Sequence, residues 1–558
     1  MTEPPQPPNQ PPPPSDYGHL PGPPQPSAYG FPPQGANPYA QQPGPQQPPQ
    51  PPQSQQFQHP QQPPTQPMYG YPPPPPGLPG MPTTVPGTPS KKKPAVLVAA
   101  SVAALLLVGG VGYITFAGAD DDPKKPVAQG SPADGKPSAS ASVDNGDGSG
   151  NGSGEADLNS GRKQGEDKVL WLKTVKIDGP GMGVESPGQW VAGDAVVKGV
   201  RKSLTAYSAA DGKEKWTLPF PALICATTPQ TTTDGKTVVM YKDGESDTAS
   251  CTWMRVVDLK TGKEVWSKEV PKEGLFDIFT SPSVDITGDT VAINRGGNAS
   301  AFRISTGDKL FTGNQAEGCG ADSYTSGNGK MIALATCRDE NSTVEVQGVD
   351  PVTGAKGWTF RLPPKFKVTG IYSVDPVVLD LGNEESKERS IVVIGPDGKQ
   401  TATLTGEGSF PVGCGDTGLF RSLTTCASSA VADNTLYLAT KESGGKANEI
   451  VAFDLASGKA KWRTPAGDGR TITPLKAADG QLVFYRQAEE DKGGEILSIP
   501  AAGGTPTALL RNPSGPAAPI EHSFRLPDVD WVDGRFFIST GHLKAEGKEE
   551  KLLMVFGK

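Results

Sequence analysis

The sequence predicts an all-β fold, an eight-bladed β-propeller with seven blades as the alternative count, preceded by one transmembrane helix and a disordered tail. Three observations carry this. A turn-and-aromatic motif returns at near-constant spacing through the C-terminal two-thirds of the 558 residues. A second hairpin signal alternates with it. One uncharged stretch separates that region from a tail rich in proline and glutamine.

The tail comes first. Most of the chain's 60 prolines fall in residues 1–90, with runs at Pro11–Pro14 and Pro72–Pro76 and almost no aliphatic side chains. Such a segment cannot bury enough apolar surface to offset the entropy of ordering it, so it is expected to be disordered with polyproline II character. Its aromatic residues, as in Tyr29-Gly30-Phe31 and Tyr69-Gly70-Tyr71, offer docking points for proline-reading modules; the plainer reading is a solvated spacer.

Residues 91–119 comprise Lys91-Lys92-Lys93, Pro94 and an uncharged stretch from Ala95 to Ala119 that ends against Asp120-Asp121-Asp122. At about 1.5 Å per residue it would span roughly 37 Å, enough to cross a hydrocarbon core of about 30 Å. The lysines on its N-terminal side put the tail in the cytoplasm and the C-terminal part outside a cell membrane crossed once. Ala117-Gly118-Ala119 resembles a signal-peptidase site, but the apolar stretch is long and starts too far into the chain for a cleaved leader. Residues 120–165, rich in Gly, Ser and Asp, are expected to form a flexible linker.

Residues 166–558 carry the repeat. A short apolar run leads through a turn closing on glycine to an aromatic residue four positions later. The copies end at Gly212 and Trp216, Gly262 and Trp266, Gly307 and Phe311, Gly354 and Trp358, and Gly458 and Trp462. Degraded copies turn at Asp397-Gly398 and Ala502-Gly503, so seven glycines follow one another at intervals of 50, 45, 47, 44, 60 and 45 residues. Glycine supplies the positive-φ turn position, the Asp, Thr or Ser before it bonds to the turn backbone, and the ring packs on a neighbouring unit.

A second set of turns lies between these, at Gly193-Asp194, Asp234-Gly235, Gly288-Asp289, Asn328-Gly329, near Gly382-Asn383, and at Asp433-Asn434, Asp479-Gly480 and Asp533-Gly534. Two hairpins per unit give four strands, the make-up of a propeller blade. The eighth unit runs out at Lys558 before its second turn, and Lys168-Val169-Leu170-Trp171-Leu172 reads as the missing strand. The N-terminal strand is therefore expected to complete the last blade, removing two exposed sheet edges.

Six cysteines, Cys225, Cys251, Cys319, Cys337, Cys414 and Cys426, all fall in this region, and their even number suits disulfides in an oxidising compartment. Sequential pairing, one of fifteen connectivities, is the one that keeps each bridge within or beside a blade. No C-x-x-C spacing occurs, and the four histidines His19, His59, His522 and His542 stand apart from the cysteines, so no metal site is expected. The net charge of −8 and the want of a long basic stretch argue against nucleic acid as a partner.

The copies resemble the tryptophan-docking repeats, A-x-D-x-x-T-G-x-x-x-W, of the pyrroloquinoline-quinone (PQQ)-type propeller superfamily, over about residues 166–558. With the tail and helix, the layout is similar to actinobacterial membrane proteins carrying quinone-binding-like repeats. That superfamily holds quinoprotein alcohol dehydrogenases and also non-enzymatic members, such as an eight-bladed outer-membrane assembly lipoprotein and the sensor regions of bacterial kinases. The dehydrogenases carry a disulfide between adjacent cysteines, whereas the nearest pair here, Cys414 and Cys426, is twelve apart. They also arrange carboxylates about a calcium ion, and Asp258, Asp350 and Asp454 are accounted for by the repeat's own turns. Arg303 and Phe311 replace the aspartate and tryptophan of the third copy.

No G-x-S-x-G, H-E-x-x-H or P-loop occurs. Asp120–Asp122 and Glu489-Glu490-Asp491 read as solvated loops, and Arg525 and Trp531 as ordinary surface positions of the last blade. The sequence thus points to a binding, sensing or scaffolding module with no catalytic residue and no cofactor, whose partner is an extracytoplasmic protein or envelope ligand. The rival is an extracytoplasmic enzyme, a divergent quinoprotein dehydrogenase or a propeller hydrolase.

Overall fold

The computed structural model describes residues 143–144 and 157–558, apart from 180–182, 247, 275–276, 278, 280, 297, 314–317, 412–425, 427–428, 443–446 and 525. The expected tail, basic flank and transmembrane helix, and most of the linker, lie outside the described residues. Among the described residues no helix is long and apolar enough to cross a membrane.

Eight antiparallel sheets form an eight-bladed propeller. Blades 1 to 7 are four-stranded meanders taken in chain order, covering residues 189–219, 224–269, 283–312, 319–361, 366–403, 429–465 and 472–511. Blade 8 is composite. Its inner strands Asp528–Val532, Arg535–Ser539 and Glu546–Gly557 are followed on the outside by Lys168–Asp178 from the domain's start. Trp171 faces Val555 in that ladder, so the ring is closed by the segment that the truncated last copy calls for. A two-residue strand, Val143–Asp144, adds to its outer edge, and Val184–Glu185 pairs with His542–Leu543.

There is no single core. Eight hydrophobic clusters occur, one at each junction between neighbouring sheets, including blade 8 against blade 1. The middle strands are buried on both faces; Lys236–Tyr241 and Thr435–Ala439 are buried almost throughout. The outer strands alternate exposed and half-buried, as in Glu214–Pro219 and Lys356–Arg361, with the docking aromatic at a half-buried position.

Those aromatics connect the blades. A Cβ added to Gly212 would meet Trp171 at 2.7 Å, to Gly262 Trp216 at 2.2 Å, to Gly354 Phe311 at 2.7 Å and to Gly503 Trp462 at 2.8 Å. Each ring thus lies flat on the turn glycine of the following blade, a place closed to any side chain. The indole N–H of Trp171, Trp266 and Trp462 also donates to a carbonyl of that turn, those of Ala209, Ile304 and Ala501. Gly307 is approached by Trp266 at 3.4 Å, whereas Gly458 faces the backbone of Thr403, because the fourth strand of blade 5 has no aromatic.

Two expectations are corrected. The first turn of blade 5 is Asp375-Pro376, with a cis peptide, and not the stretch near Gly382-Asn383. Those residues end the next strand, where Asn383 Oδ1 accepts from the N–H groups of Glu385 and Ser386 in the following loop. The signal was a real turn on the other side of the sheet. The packed domain also starts before residue 166, since Leu158 is buried and Asn159 exchanges two hydrogen bonds with the Val169 backbone.

Candidate functional site: a groove over blades 4 to 6

In a four-stranded meander the first and third turns share one end of the blade. In five blades these two turns are tied by one backbone hydrogen bond. The residue after the position where the repeat carries Asp donates its N–H to the second residue of the first turn: Ala209 to Asp194 (2.8 Å), Leu259 to Gly235 (3.0 Å), Ile304 to Asp289 (2.8 Å), Leu455 to Asn434 (2.9 Å) and Ala501 to Gly480 (2.8 Å). The donors Ala209, Leu259, Ile304 and Leu455 are buried and plug the end of the blade.

Blades 4 and 5 break this rule in the same way. Pro351 follows Asp350 and Pro396 follows Gly395, and proline has no N–H to give. The blade 5 turn is also one residue shorter, Gly395 pairing with Lys399 where Asp350 pairs with Ala355 and Asp454 with Lys459. Pro351 is half-buried and Pro396 exposed, so the plug is lost along with the tie.

A third departure acts on the wall between them. The residue paired with the docking aromatic is Ala206, Ala301 or Ala452 in three other blades, but Gly348 in blade 4. A Cβ there would lie 2.2 Å from Trp358 Nε1. The Trp358 indole occupies that space over its own blade, while its Cβ and Cε3 lie 3.1 Å from the place a Cβ on Gly398 would take. Among the described residues it donates no bond to Pro396 equivalent to those of Trp171, Trp266 and Trp462.

The result is a groove of about 740 Å³ on this end of the ring, running from blade 4 to the turns of blade 6. Met331, Ile332, Trp358, Val374, Val377 and Ile394 give it apolar walls, and Lys330, Asp350, Asp375 and Asn434 stand among its polar lining. Asp350 Oδ1 accepts from the N–H groups of Val352 and Thr353 and from Thr353 Oγ1. These bonds, led by the Thr353 N–H, hold its carboxyl below the usual range. Val352, next to it, is an exposed apolar side chain.

A polar cluster lies on the inner strands at the ring's closing seam. Lys198, fully buried, donates to Asp528 at 2.8 Å, and Gln189 Nε2 donates to Asp530 at 2.7 Å. Burial holds the Asp530 carboxyl up to about 6, against the hydrogen bond from Gln189, while burial lowers Lys198 against the pull of Asp528. This is the constellation an enzyme reading would turn to. At Asp528 an ammonium group already occupies the carboxylate and competes with a divalent cation for it. Of the two disulfides with known partners, Cys225–Cys251 ties the first strand of blade 2 to the loop before its third, and Cys319–Cys337 is a cross-strand link in blade 4; neither joins adjacent cysteines.

The other sequence-marked residues fall as follows. Cys426 is disulfide-bonded, and Cys414 and Arg525 lie outside the described residues. Asp258 and Asp454 accept bonds from their own turns, Asp258 from Lys260 and Thr261, Asp454 from Ser457. Glu489 pairs with Lys492 across its loop, and Trp531 packs half-buried between blades 7 and 8. His522 meets the Ala488 carbonyl, while His542 lies in the short ladder with Glu185. Cys319, Cys337 and Glu345 cluster closely enough for a metal among the described residues, but the two sulfurs are bonded to each other.

Residues 156–344 match the model of a family described as outer membrane protein assembly factor BamB. No curated protein matches the sequence. Among solved structures, BamB from Moraxella catarrhalis is similar at 12% identity and a TM-score of 0.40, over 67% of this chain and 99% of that one. The quinohemoprotein alcohol dehydrogenase of Comamonas testosteroni is similar at 15% identity and 0.40, over 68% and 75%. A europium-containing methanol dehydrogenase stands at 11% identity and 0.40, over 69% and 93%. These likenesses carry no inference about activity.

Proposed function

For a chain whose residues 156–344 match a PQQ-like repeat family model, we infer a non-catalytic binding and scaffolding role outside a cell membrane, exercised through the groove over blades 4 to 6. The observation that carries it is the paired loss of the turn-to-turn tie at Pro351 and Pro396, beside a tryptophan whose indole fills the space over Gly348. Elsewhere the repeat spends its turns on its own closure. Here a half-buried Trp358 and an exposed polar rim of Lys330, Asp350 and Asp375 face a partner over a buried apolar floor.

The setting follows from the chain's N-terminal third. The lysine-flanked apolar stretch 95–119 anchors the protein once, the tail lies in the cytoplasm, and the disulfide-bearing ring stands outside. The partner is an extracytoplasmic protein or cell-envelope ligand.

The enzyme reading makes a distinct claim that decides between the two. The full-length protein in membranes, given PQQ, calcium and a panel of primary alcohols, is expected to give no alcohol-dependent reduction of an artificial dye above a protein-free control. Saturable, alcohol-dependent reduction would overturn the binding reading.

A further inference from the structure

The groove's lining is richer in acceptors than in donors. Two carboxylates, Asp350 and Asp375, stand against one ammonium, Lys330. All three are exposed. The missing ties add to this: among the described residues, the carbonyls of Gly329 and Pro376, the second residues of the two first turns, lack the N–H that the equivalent carbonyls of Asp194, Gly235, Asp289, Asn434 and Gly480 receive. Turn carbonyls without their N–H call for a partner that donates, and the excess of one negative charge at the exposed Asp350 and Asp375 favours a cation. The walls beneath them, Trp358 and Ile394 among them, call for apolar side chains, and the face of Trp358 accepts a cation as readily as a methylene chain.

We propose that the groove takes an extended peptide segment of a partner protein, one carrying Lys or Arg beside a bulky apolar residue. The apolar side chain enters between Trp358 and the blade 5 strands, its backbone N–H groups meet the free turn carbonyls, and the cation lies against Asp350 and Asp375. Val352 widens the apolar contact at the rim. This rests on the groove being the binding surface, and the test separates the two claims.

Full-length protein in detergent is titrated with three fluorescent synthetic peptides that share one Phe-Leu core and differ only in flanks of Lys/Arg, Gln or Glu. The cationic peptide is expected to bind at least about tenfold more tightly than the acidic one. Asp375→Lys is expected to abolish that preference. Gly348→Ala, whose methyl group displaces Trp358 into the groove, is expected to weaken all three peptides. Asp375 is on an exposed turn, so D375K reports even if G348A does not fold. Equal binding of the three peptides, still lost in G348A, overturns the cationic partner and leaves the groove as the binding surface. No binding by the wild-type chain, or equal binding by a folded G348A, overturns both.

Discussion

At the scale of single residues, glycines of the two sets of turns share nearly the same φ but differ in what surrounds them. Gly262 and Gly480 have φ of 69° and 70°, but a Cβ at Gly262 meets Trp216 at 2.2 Å, while one at Gly480 meets nothing within 4 Å. Gly480→Ala should therefore cost only the left-handed backbone term, about 1–2 kcal/mol. Gly262→Ala should add displacement of the docked ring, for roughly 2–5 kcal/mol in all. Urea unfolding of the two variants checks this; equal losses would mean that the ring does not dock there. Asp530 gives a pH dependence. Because burial raises its folded pKa to about 6 from an ordinary value of 3.8, the folded protein holds that proton more tightly than the unfolded chain does. The stability it contributes is full below about pH 4 and lost as pH rises through 6, by at most about 3 kcal/mol. Asp530→Asn, which keeps an acceptor for Gln189, should melt above wild type at pH 7 and level with it near pH 4. An offset that does not change with pH would contradict the assignment.

At the scale of elements, the closing strand is the one on which the ring depends. Trp171 is fully buried, sits on Gly212 and donates to Ala209, so it serves blade 8 as Trp216 serves blade 1. Trp171→Ala should cost about 3–5 kcal/mol, and limited proteolysis should then cut first in blades 8 and 1; first cuts elsewhere would deny the strand its closing role. The strand was legible because Lys168–Leu172 repeats the pattern of Lys263–Trp266, as were the aromatic turns, whose glycines have a steric reason to recur. The first turn of blade 5 was not, since Asp375-Pro376 carries no glycine and the Asn383 turn beyond the strand mimics the expected signal. The groove was hidden for a related reason. Its cause is the residue after the position where the repeat carries Asp, reading Ala209, Leu259, Ile304, Pro351, Pro396, Leu455 and Ala501. Two prolines in that column are visible on aligning the turns, but their meaning depends on a hydrogen bond between turns that only the fold reveals. Gly348 is subtler still, one alanine-to-glycine change whose effect is the direction of a neighbouring indole.

At the scale of the whole molecule, eight junctions each with its own apolar cluster tie every blade to both of its neighbours. Such a ring can weaken one turn end without losing its shape, and blades 4 and 5 show where it does so. Their junction keeps a full apolar cluster below the turns, with Ile332, Val346, Leu379 and Val392 buried, so the groove is a surface feature on an intact seam. The most direct test places a photo-crosslinking amino acid at Asp375, on the groove, and separately at Asp194, on the equivalent turn of blade 1, in the full chain within its own cell membranes. The account predicts a discrete adduct from position 375, lost when Gly348→Ala is added and not formed from position 194. No adduct at 375, or the same adducts from both positions, would contradict it.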